Sequence, residues 1–101
     1  MTGVIEIVSG LAKPLEPIAH RVKAPSPESI KAAREAAGLN QAEAAILVGS
    51  ATKRPERTWQ GYEAPISSKG HRNIPLASWE LFLLLTDQHP KLKLQKKTDI
   101  D

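Results

Sequence analysis

GLNQAEAAILVG, Gly38 to Gly49, is a short helix fenced by two glycines, and its reading decides the fold. Asn40 is placed to cap the helix, and Glu43 stands three residues on, the spacing of a capping box. Ala44, Leu47 and Val48 are expected to turn inward. Gly38 ends the helix before it, and Gly49 ends this one, each in the left-handed conformation that glycine adopts freely. A helix so short, with Ala42, Ala44 and Ala45 along it, buries little area by itself. Small side chains on its inner face let a neighbouring helix cross almost in contact, whereas bulky ones would hold that neighbour away. A plain alanine-rich helical hairpin would use the same spacing.

Upstream, SPESIKAAREAAG begins with Ser26 as a cap and Pro27 at the first helical position, where the missing amide has no partner to lose. Ile30, Ala33, Arg34 and Ala37 share one face at three- and four-residue steps. Downstream, Ser50 to Arg54 form a connection, and RPERTWQGYE starts a third helix at about Pro55, with Trp59 and Tyr62 as its apolar edge. Thr52 is an alternative cap, with Lys53 and Arg54 then in the first turn; otherwise Pro55 is the first residue and Arg54 is extended before it. Residues 64–73 read as a loop anchored by Ile66. PLASWELFLLLTDQ, opened by Pro75 and closed by Pro90, reads as a fourth helix, with Leu81, Leu84 and Leu85 widening its apolar stripe.

The ends read differently. VIEIV, Val4 to Val8, alternates like a brief strand, and so does KLKLQ from Lys91. Pro14, Pro17 and Pro25 predict an extended course for residues 11–25. The expected fold is therefore all-α: a compact four-to-five-helix domain over residues 26–90, with an N-terminal arm at 1–25 and a basic tail at 91–101. Trp59 and Trp79 are spaced for the core rather than for stacking on bases.

Bulk properties narrow the function. No apolar run approaches the roughly 18 residues of a membrane span, so no membrane partner is expected. The absence of cysteine removes disulfides and thiolate metal sites, and fits a reducing cytoplasm. His20, His71 and His89 are scattered, no carboxylate pair has an acid/base setting, and no glycine-rich phosphate loop is present, so neither an enzyme nor a cofactor is indicated. Charge is uneven. Residues 52–72 hold Lys53, Arg54, Arg57, Lys69 and Arg72 against Glu56 and Glu63, whereas residues 73–90 hold Glu80 and Asp87 alone. A basic stripe beside an acidic flank suits a polyanion on one face.

Two short helices joined at Gly38–Asn40, then a third after a turn, follow the order of a helix-turn-helix domain. GLNQAEAAILVG resembles the second-helix signature of the Xre family, the Cro- and phage-repressor-like DNA-binding proteins. That resemblance implies that Gln41 holds the DNA backbone and that the helix starting there points its amides at a phosphate. TWQGYE is similar to the end of the family's third helix, which reads bases in the major groove. Trp59 and Tyr62 then take its apolar positions and Glu63 its closing acidic one. Glu56, Arg57, Thr58, Gln60 and Gly61 face outward. Arg57 and Gln60 are the first choices for base reading, because arginine forks onto guanine and glutamine pairs with adenine. Glu56, Thr58 and Arg54 are further candidates. SKGHRNIPLASWELF resembles the family's loop and fourth helix, which places Lys69, His71 and Arg72 at the DNA backbone, with Lys53 near the mouth of the groove. The resemblance covers roughly residues 26–88 and extends to small plasmid and phage regulators, the KorC-type repressors among them. Between Gly49 and Trp59 the chain runs several residues longer than the family pattern.

The resemblance implies a repressor that binds double-stranded operator DNA as a homodimer on a pseudo-palindrome and occludes a promoter. Leu81, Leu84 and Leu85, or the terminal strands pairing across subunits, would supply the dimer contact. A helix-turn-helix antitoxin, binding DNA with the same motif and a toxin partner with its arm, is the alternative. A protein-interaction module that has lost DNA binding is a third reading.

Overall fold

The computed structural model describes residues 5–7 and 15–96. The expectations for Val4, Val8, Pro14 and the tail beyond Lys96 lie outside those residues. In chain order the elements are β1 (Ile5–Ile7), α1 (Ile18–Arg21), α2 (Pro27–Ala36), α3 (Gln41–Leu47), α4 (Pro55–Glu63), α5 (Leu76–Leu85) and β2 (Leu94–Lys96). The fold is predominantly helical, as the periodicity predicts.

Local chemistry accounts for most helix ends. The Ser26 hydroxyl accepts from the Ser29 amide at 3.1 Å, and Pro27 opens α2. At α3 the capping box is complete: Asn40 Oδ1 accepts from the Glu43 amide and Glu43 Oε1 from the Asn40 amide, both at 2.8 Å. Gly38 and Gly49 have φ of 73° and 95°, the left-handed values that favour glycine after a helix. Of the two starts open for α4, Pro55 is the observed one, with Arg54 preceding it at φ −130°. α5 ends earlier than Pro90 requires. Thr86 Oγ1 donates to the Phe82 carbonyl at 2.8 Å, and Asp87 turns left-handed at φ 58°. The Gln88 amide then closes onto the Leu83 carbonyl at 2.7 Å.

The core gathers Ile30 and Ala33 of α2, Ala44 and Ala45 of α3, Trp59 of α4, and Trp79, Phe82 and Leu83 of α5, with Val22 and Ile74. Trp59 packs tilted on Phe82 with ring centroids 5.0 Å apart, and Trp79 stacks on Phe82 at 6.0 Å. Both tryptophans are therefore core residues.

Four expectations change. Residues 18–21 are helical rather than extended, and Val22 is buried, so this part of the N-terminal arm belongs to the body. Its anchor is ionic: Arg21 donates to both oxygens of Glu80 on α5 at 2.8 Å, and His89 Nε2 donates to Glu80 Oε2 at 2.9 Å. His89 Nδ1 meanwhile accepts from the Lys91 and Leu92 amides, each at 3.0 Å, which puts the ring hydrogen on Nε2. Second, Leu47 is 40% exposed and Ile66 is 73% exposed, so neither is the inward anchor that apolarity alone suggests. Third, Gly61 is buried instead of facing outward. Fourth, β1 and β2 pair antiparallel within one chain, Glu6 opposite Gln95, rather than waiting for a second subunit. Among the described residues no helix is long and apolar enough to cross a membrane.

Candidate nucleic-acid interface

The angle of α4 on α3 is set by two contacts, one apolar and one ionic. Ala44 and Ala45 are closed to solvent, at 0% and 1% exposure, and with no side chain beyond Cβ they let α4 lie against α3. Trp59, also at 0%, fills the space behind the crossing.

The ionic contact centres on Glu63, in the last turn of α4. Arg34 of α2 donates from Nε to Glu63 Oε2 at 2.6 Å and from Nη2 to Oε1 at 3.1 Å. The indole of Trp59 donates to Oε2 at 2.7 Å, and Gln41 Nε2 donates to Oε1 at 3.2 Å. Arg34 Nη1 also donates to the Leu39 carbonyl at 3.0 Å, which ties the α2–α3 turn into the same cluster. Burial pushes the Glu63 carboxyl up, but hydrogen bonds from Arg34, Gln41 and Trp59 outweigh it, and the group is held below its ordinary value. The hydrogen bond to Glu63 in turn raises the Arg34 guanidinium. Three helices thus meet on one carboxylate, and α4 has one orientation in which all its donors are satisfied. The sequence held a sign of this: Arg34 shares the apolar face of Ile30 and Ala33, and a cation there needs a buried anion.

With the inner edge of α4 fixed, its other flank faces solvent. Arg57 and Gln60 are exposed, and Glu56 and Thr58 are half-buried. Thr58 sits partly in a crevice with Ala45, Val48 and Ser78, so it faces the α3–α4 turn as much as the outside. Lys53 and Arg54 are exposed in the turn before the helix.

The loop after α4 returns along the same flank. The Arg72 amide donates to the Gly61 carbonyl at 2.9 Å. His71 sits between the Ala64 carbonyl (Nδ1, 2.9 Å) and the side-chain amide of Asn73 (Nε2, 3.0 Å). Two clefts result. One, of about 500 Å³, runs between Arg57, Gln60, Lys69 and Arg72; the other, of about 390 Å³, lies between Arg57, Thr58, Tyr62 and Arg72. Among the described residues no carboxylate lines either cleft. The wall they share is cationic and rich in hydrogen-bond donors.

The expected residues therefore divide. Arg57, Gln60, Lys69 and Arg72 come together on one face. Lys53 and Arg54 are exposed at the start of the same helix. Gln41 and His71 are half-buried and have partners within the chain: one side-chain amide hydrogen of Gln41 is engaged by Glu63, and both ring nitrogens of His71 are engaged within the loop. Arg34 and Gly61, neither of them expected among the site residues, act through their neighbours rather than at the surface. Among the described residues no cluster of three or more His, Asp or Glu side chains is arranged to hold a metal ion.

No protein-family model, curated protein or solved structure matches the chain.

Proposed function

We propose that this chain is a sequence-specific double-stranded DNA-binding repressor, with α3 and α4 as a Cro-like helix-turn-helix pair and α4 as the reading helix. One observation carries the reading: the outward flank of α4 and the loop folded back on it join Arg57, Gln60, Lys69 and Arg72 around two clefts that no described carboxylate lines. Arg57 and Gln60 project from the helix itself, and both have the donor geometry that base edges in a major groove demand. Arg72 and Lys69, on the loop beside it, are suited to the phosphates that fix register but carry no sequence information.

One such surface spans only a few base pairs, so specificity calls for a homodimer on two half-sites. Leu81 of α5 is 40% exposed and offers an apolar contact for it. Repression then follows from occupancy of a promoter, with no chemical step.

Selection of binding sites from random duplexes tests the reading directly. The wild-type chain is expected to enrich one pseudo-palindromic sequence. Arg57→Ala and Gln60→Ala are each expected to relax the preference at one base pair per half-site, a loss of about 1–3 kcal/mol of discrimination. Failure of the folded wild-type chain to retard any duplex at low salt would reject the function and favour a protein-interaction module.

A further inference from the structure

Gly61 stands in the last turn of α4 with an ordinary helical backbone, so no left-handed conformation demands a glycine there. Glycine is among the poorest residues inside a helix, which makes its presence a question of space. The space is occupied. A Cβ at residue 61 would lie 3.1 Å from Arg72 Cδ, 3.2 Å from Arg72 Cγ and 3.2 Å from the Gly70 carbonyl oxygen. The aliphatic stem of Arg72 therefore crosses directly over the helix at the one position without a side chain.

Its backbone is held on both sides of that crossing. The Arg72 amide donates to the Gly61 carbonyl, one of the acceptors a helix end leaves open. His71, the preceding residue, is fastened to Ala64 and Asn73. The head of Arg72 is unlike that of Arg21 or Arg34: among the described residues no carboxylate pairs with it. Arg72, like Arg57, lines both clefts.

We infer that Gly61 is a positioning residue for DNA: it lets Arg72 lie across the reading helix, so that its guanidinium takes a backbone phosphate at a set distance from Arg57 and Gln60. The inference rests on the DNA-binding reading above and adds the device that locks the phosphate contact in register with the base readers. Gly61 itself need not touch the duplex.

The test compares wild type, Gly61→Ala, Arg72→Ala and the double variant, all as full chains, on a mixed-sequence duplex across a salt series. Every phosphate that is no longer neutralised lowers the slope of log affinity against log salt by about 0.9. Arg72→Ala is expected to lower it by about 0.9, Gly61→Ala by a fraction of that because its Cβ displaces a side chain that keeps its charge, and the double variant no further than Arg72→Ala. A change that merely loosened the fold would leave the slope of the folded fraction alone. A wild-type slope in Gly61→Ala, or in Arg72→Ala, overturns the inference, as does a further drop in the double variant.

Melting midpoints supply a second reading should Gly61→Ala fold poorly. The alanine is expected to lower the midpoint less when Arg72 is also alanine, because the stem it collides with is gone. Equal losses in both backgrounds would show that the Gly70 carbonyl, rather than Arg72, sets the space, and would overturn the inference. Absence of any duplex binding by wild type is a different failure, seen before the variants are compared; it rejects the proposed function and this inference with it.

Discussion

Replacing Glu63 by alanine tests the claim that a single carboxylate orients α4. The substitution removes the acceptor of four hydrogen bonds, two from Arg34 and one each from Gln41 and Trp59. The Glu63 side chain is 7% exposed and that of Arg34 13%, so water screens the pair little and cannot readily replace it. Breaking a buried pair from one side costs about 3–5 kcal/mol, because a charge is left without a partner. Arg34 retains the Leu39 carbonyl, which favours the lower figure, about 3 kcal/mol. For a chain this small, urea unfolding has a slope near 1 kcal/mol/M, so the midpoint is expected to fall by about 3 M. That is a large share of the roughly 5–15 kcal/mol that holds a domain together. The control replaces Arg34 and Glu63 together by methionine. Removing both charges leaves neither uncompensated, and the double variant is expected to recover most of the loss or exceed wild type. A shift below about 1 M for Glu63→Ala, read as the exposed-pair limit, would refute the argument, and the angle of α4 would then rest on Ala44, Ala45 and Trp59 alone.

Two further outcomes follow from the same packing. Glu80 is held down to about 2, from an ordinary 4.5, chiefly by its hydrogen bonds from Arg21. A depressed carboxyl contributes stability above its unfolded pKa and loses it as pH falls toward the folded one, so the decline lies between about pH 5 and pH 2. With the side chain 10% exposed, the contribution is on the order of 3 kcal/mol. Urea midpoints measured down that range should fall steeply for wild type and less for Glu80→Gln, the remainder belonging to Glu63, whose carboxyl is depressed in the same sense. Ala44→Leu inserts three carbons where exposure is 0% and is expected to cost about 1–3 kcal/mol through overpacking. It should also weaken duplex binding by lifting α4; a melting midpoint equal to wild type would contradict the close crossing.

Much of the helical plan was legible along the chain because its signals are local. Ser26 and Asn40 bond to amides three residues on, and Gly38 and Gly49 take left-handed conformations as a matter of their own sterics. Ala44 and Ala45 were readable as room for a close crossing, with a plain helical hairpin as the alternative; their burial at 0% and 1% exposure came from the packing. The errors came where apolarity had to be converted into burial. Leu47 and Ile66 are apolar and exposed, and α1 folds behind Pro17 in a stretch whose prolines suggested extension.

Sequence by itself determined where α2 and α3 start and stop, that α3 leaves room for a close approach, and which basic residues were available to a polyanion. Tertiary structure alone decided which of those residues share a face. Arg34 finds Glu63 29 residues away and Arg21 finds Glu80 at 59, and no periodicity connects positions so far apart. The same holds for Arg72 over Gly61, where a glycine that reads as a weak point of a helix becomes, once the loop has returned, the place where a long side chain can cross. Caps and turns are settled by neighbours within a few bonds. Partners for a buried charge are settled by whichever group the finished packing brings within reach, and that choice does not exist until the chain has folded.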